Sequence, residues 1–154
     1  MAKNKWRIKE AVKIAEEAGL KALRTGAETI LTESIDETPV ETGTLRRSGT
    51  VTVGALPDSA QVYEAAESGT EMKDAFPDKI GKKQAVYISF NTPYARVQHE
   101  DLYYNQKTGE LEQRALNHPL GGKAKYLETP FNRNKKKVLQ YAEKQVKKAL
   151  EKAK

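Results

Sequence analysis

A long helical pattern that stops abruptly constrains this chain more than any other feature. Ile8, Ala11, Val12, Ala15, Gly19, Ala22, Leu23, Ala27, Ile30 and Leu31 recur in steps of three and four. That spacing lays them in one stripe along a helix running from about Lys5 to Glu37. Pro39 ends it, because proline has no N–H to donate and pushes the preceding Thr38 out of helical space. A helix this long needs a sheet or a neighbouring subunit to lie along. Gly19 and Gly26 fall inside it, each costing roughly 1 kcal/mol relative to Ala, and they mark a bend or a close approach.

The connector that follows reads Thr38-Pro-Val-Glu-Thr-Gly-Thr-Leu-Arg-Arg-Ser48. Gly43, between Thr42 and Thr44, suits a turn with positive φ. Leu45 is an apolar anchor with Arg46 and Arg47 beside it. Gly49–Val53 then reads as a strand, Gly54–Ser59 as a turn and Ala60–Glu64 as a second, alternating strand. Ser68–Lys83 reads as loop with a helical turn near Met72. Gln84–Phe90 is the clearest strand, with Val86, Ile88 and Phe90 on one face. Tyr94–Glu100 fits a short helix or a strand, and its periodicity does not decide. Residues 101–123 read as a long mobile loop, or as a hairpin pairing Leu102–Tyr104 with Glu110–Glu112. Thr129 and Pro130 suit the N-cap and first position of a last helix whose apolar stripe includes Phe131, Val138, Ala142 and Val146.

These elements predict an α+β protein, a single domain over residues 1–154. Its parts are a long helix (1–37), a small, mainly antiparallel sheet region (38–100), a disordered-prone loop (101–123) and a basic helix (129–152). The apolar fraction is 38% against 31% charged, so the core must be economical. With no cysteine, disulfides and thiolate metal sites are excluded. No apolar run reaches the ~20 residues of a bilayer span, and the N-terminal residues lack the apolar core of a secretory signal. Synthesis inside the cell is the expectation.

Charge is placed unevenly. Residues 1–37 balance at zero, residues 38–122 carry −2, and residues 123–154 carry +8. The basic segment suits nucleic acid, an acidic protein surface or solvent. Lys135, Lys136 and Lys137 are its candidates for facing DNA, although no helix-turn-helix or zinc motif accompanies them. Catalysis has little to stand on. His99, Glu100 and His118 are the residues a metal or acid–base site would use, but neighbours on one element point apart. There is no phosphate loop, and Gly121-Gly122 lacks the flanking context of one. Tyr94, Tyr103, Tyr104 and Tyr126 flank the long loop and suit a protein interface, with rings buried and hydroxyls wet; covering a sheet edge is the plainer alternative.

The connector resembles the "TPVDTGxLRxS" signature of the head–tail joining, or tail-completion, proteins of long-tailed phages and prophages. Pro93-Tyr-Ala-Arg-Val-Gln-His-Glu100 resembles that family's "PYAxxxExG" segment, although Asp101 stands where Gly is common and a long insertion follows. Gly122-Lys-Ala-Lys-Tyr-Leu-Glu-Thr-Pro-Phe131 resembles its closing segment. The resemblance implies a neck protein of the virion, made in the bacterial host cytoplasm. It would have no enzymatic activity, cofactor or membrane contact. Copies would close into a ring against phage adaptor and tail proteins, and the isolated chain could be a monomer. Leu45, Arg46, Arg47, Tyr94, Arg96, Tyr103, Tyr104 and Tyr126 would supply the contacts. A small DNA-binding or packaging accessory protein is the alternative.

Overall fold

The computed structural model describes residues 2–79 and 84–153. In chain order the elements are α1 (Ala2–Glu37), α2 (Thr44–Arg47), β1 (Gly49–Val53), α3 (Ser59–Glu67), β2 (Val86–Phe90), α4 (Ala95–Glu100), β3 (Leu102–Asn105), β4 (Glu110–Gln113) and α5 (Glu128–Lys152). The mixed α+β class and both terminal helices are as the sequence predicts. No helix among the described residues is long and apolar enough to cross a membrane.

The spine is a pair of helices, α1 and α5, from opposite ends of the described chain. Gly19 lies against Val146, Gly26 against Val138, and Glu33 against Arg133 and Asn134. Numbers fall on α5 as they rise on α1, so the helices run antiparallel. Gly26 shows why the stripe contains glycine. A Cβ there would stand 2.3 Å from a methyl of Val138, so the Val138 side chain seats on the α1 backbone in space that glycine leaves free. Where the helices end, Arg133 bonds Glu33 at 3.1 Å and Glu37 at 2.9 Å, and Lys123 reaches Glu37 at 3.1 Å. Desolvation pushes the Glu37 carboxyl up, but the bonds from Arg133 and Lys123 outweigh it and hold the group below its ordinary range. Toward the other end, α1 runs on past α5, and Ile8 and Val12 are 64% and 51% exposed.

One face of α1 covers a two-stranded antiparallel sheet in which Val51 pairs with Ile88 and Val53 with Val86. Ala27, Leu31 and Val51 form the core, with Ile35, Val86, Ile88 and Phe90 packed around them. Each large member contributes about 1.5–3 kcal/mol on burial. The residues expected to share a face of β2 do so. Beyond the other edge of β1 runs the chain after α3: Lys73 accepts a bond from Val51 N–H, and Lys79 donates one to Val53. The edge of β2 away from β1 has no partner strand among the described residues.

Three expectations need correction. Ala60–Glu64, read as a strand, lies in the helix α3. Asp58 caps it by accepting from the N–H groups of Ala60 and Gln61. Val62 and Ala66, four apart and fully buried, define its inner face, which a five-residue window hides. The segment 101–123, expected as a mobile loop, holds the antiparallel hairpin of β3 and β4, the other option the sequence left open. The last helix starts at Glu128, so Thr129 lies inside it and is not its cap. Pro130 still sits in the first turn, where its missing N–H costs nothing. The connector, read as a turn at Gly43, also winds once as the helix α2 over Thr44–Arg47. The helix-or-strand choice at Tyr94–Glu100 is resolved as α4. Of the predicted loop, residues 80–83 lie outside the described residues.

Candidate interaction surface

The signature stretch turns inward. Thr38 is fully buried and its hydroxyl donates to the Ser34 carbonyl at 2.6 Å. Gly43 takes φ 79° and starts α2. Leu45 is 4% exposed. Arg46 donates to the carbonyls of Thr38 (3.1 Å) and Asp36 (3.2 Å), satisfying acceptors that the end of α1 leaves open. Arg47 reaches the carbonyls of Ala66 (2.8 Å) and Thr42 (3.3 Å), tying α2 to α3. Ser48 is fully buried; its hydroxyl accepts from Asn91 N–H, while the Asn91 amide donates to the Ser48 carbonyl at 2.8 Å. The motif is therefore a knot holding α1, α2, α3 and both strands together.

The residues expected at a partner surface consequently separate into two groups. Leu45 and Tyr126 are spent in the interior. Tyr126 is 1% exposed, meets the rings of Phe90 and His99 edge-on at 5.0 Å, and donates to the Ala95 carbonyl. Burial pushes its phenol far above the ordinary range. Tyr94 is half-buried, and desolvation raises its phenol against bonds from Thr44 and Thr92. With Leu45, Pro39 and His118 it lines a cleft of about 280 Å³. Arg96 and Tyr104 are exposed, on α4 and on the hairpin. Tyr103 donates to Glu112 at 2.8 Å and lies 5.4 Å beneath Arg114. That bond raises the Tyr103 phenol and lowers the Glu112 carboxyl.

His99, Glu100 and Glu128 do converge, with ligand atoms within 4.8 Å of one another. The Lys125 ammonium already stands between the two carboxylates, bonded to Glu100 and 3.0 Å from Glu128. Lys125, and after it His99, hold the Glu100 carboxyl below its ordinary range. The imidazole uses both nitrogens, Nδ1 toward Glu100 at 2.7 Å and Nε2 toward the Glu128 N–H at 3.4 Å. The cluster is a hydrogen-bonded clasp between α4 and the start of α5, with one ammonium shared by two carboxylates. His118 lies apart from it, 3.3 Å from Asp101.

The surface the sequence reading missed is a groove of about 420 Å³ between α1, α5 and β2. Leu23, Ile30, Val86, Ile88, Phe131 and Val138 line it. These residues come from stripes that individually read as core, so only their assembly reveals that part of each stripe stays open. No family model, curated protein or solved structure matches the chain.

Proposed function

We propose that this chain is a structural subunit of the neck of a long-tailed phage or prophage, joining the portal–adaptor layers to the tail. One observation carries the contact role: the apolar groove lies beside β2, whose outer edge is unpaired, and no described part of the chain covers it. Burying apolar surface yields about 25 cal/mol per Å², and contiguous open patches mark contact sites. The phage setting comes from three segments that stand in the order of the tail-completion signature. In this reading, copies related head-to-tail close into a ring around the neck axis. The groove meets a neighbouring copy, an adaptor protein or a tail protein. The protein is made in the host cytoplasm and carried in the virion, and it works by fit, with no chemistry of its own.

The test is Phe131→Glu in the encoding phage or prophage. Phe131 is 46% exposed at the groove, so the purified variant should keep its circular dichroism spectrum. Infectious particles should fall at least tenfold, with filled heads and free tails accumulating. Normal numbers of tailed, infectious particles would overturn the reading.

A further inference from the structure

The lysines of α5 look scattered around the helix when read from sequence. Packing sorts them. Asn134 and Ala142 are buried, and Val138 and Val146 meet Gly26 and Gly19, so one side of α5 is committed to α1. At 3.6 residues per turn, Lys136, Lys137, Lys144, Lys147 and Lys148 all fall on the opposite side, and all are exposed. They form one row about 18 Å long. Arg133 lies outside the row, turned to Glu33 and Glu37 of α1, while Lys147 is held by Glu143 with Glu151 one turn on. Lys136, Lys137, Lys144 and Lys148 have no anionic partner among the described residues. Lys135, a sequence candidate, points to the other side and bonds Asn132.

We infer that this outward face of α5 binds the phosphate backbone of duplex nucleic acid without reading its sequence. Over 18 Å a duplex presents about 11 phosphate charges, more than enough to face every cation of this band. Protein interface cores deplete lysine and enrich aromatics. Here Tyr141 borders the row on one side and Leu139 on the other, with none among the lysines, so a protein partner would have to desolvate lysines for little apolar gain. The unpaired cations are all lysine, point charges without the planar fork that reads guanine. This site is separate from the apolar groove and does not depend on the assembly role.

Fluorescence anisotropy of the full chain with a short labelled DNA duplex tests it. Four unpaired lysines give an expected slope of log K against log salt near −3.6, about a 150-fold loss between 50 and 200 mM salt. Two duplexes of unrelated sequence should bind alike. The variant Lys136→Glu/Lys144→Glu/Lys148→Glu should keep its helical spectrum and lose at least tenfold in affinity at 50 mM salt. Lys107→Glu, on the exposed β3–β4 turn, should bind like the wild type. Three results would overturn the inference: no binding at 50 mM salt, unchanged binding by the triple variant, or equal competition by poly-glutamate at matched charge.

Discussion

Individual residues in this chain do work that their type alone does not announce. Arg46 and Arg47 look like a solvated basic pair, yet their guanidinium groups satisfy backbone carbonyls on α1, on α3 and in the connector. Arg46→Ala is expected to lower unfolding free energy by about 1–2 kcal/mol in urea titrations. Arg46→Lys should recover only part, since one ammonium replaces a fork. The same bonds make reversal of this pair a poor probe of partner contact, because it damages the fold first. Gly26 makes the opposite point. Alanine ordinarily strengthens a helix by about 1 kcal/mol over glycine. Here the added methyl meets the stiff, branched Val138, and overpacking costs about 1–3 kcal/mol. Gly26→Ala should therefore destabilise by about 1 kcal/mol, and Gly26→Ala/Val138→Ala should differ from Val138→Ala alone by a gain.

At the scale of elements, the α1–α5 pair is fastened at one end by charge and along its length by glycine–valine contacts. Glu37 is the charged fastener, with a pKa below its ordinary 4.5. Because the folded value is the lower one, its contribution is present above pH 4.5 and is lost as pH falls below that value. Between about pH 5 and pH 3 the wild type should lose more stability than Glu37→Gln, measured by urea midpoint at each pH. Equal losses would show that the Glu37 bonds do not stabilise the α1–α5 pair. The β3–β4 hairpin shows why a stretch rich in turn residues defies reading. Its strands are four residues each, too short for alternation to declare itself, and Tyr103, Asn105 and Thr108 fix the register by converging on Glu112.

The whole molecule has three distinct outward features: the overhanging end of α1, the open groove and the basic face of α5. Residues 7–12 of α1 lie beyond the last contact with α5, with Ile8 and Val12 exposed. Ile8→Ser/Val12→Ser should therefore shift the thermal midpoint of the isolated chain by less than about 4 °C, which corresponds to under 1 kcal/mol. A larger loss, seen by circular dichroism melting, would mean that this end already packs within the isolated chain. The groove and the basic face lie on different sides of α5, so Phe131→Glu and the lysine reversals should act independently, one on particle assembly and the other on duplex binding.

The amino-acid order by itself determined the long first helix, its stop at Pro39, the positive-φ turn at Gly43, the facing of Val86, Ile88 and Phe90, and the basic last helix. Each depends on local stereochemistry or on a period that a window of residues contains. Tertiary structure decided α3 over a strand, the burial of Leu45 and Tyr126, the inward use of Arg46 and Arg47, the open groove, and the gathering of the α5 lysines onto one face. Those outcomes depend on which side of an element a distant element covers: α5 on α1, α1 on the sheet. Nothing in the local spacing of apolar and charged residues encodes where that cover ends.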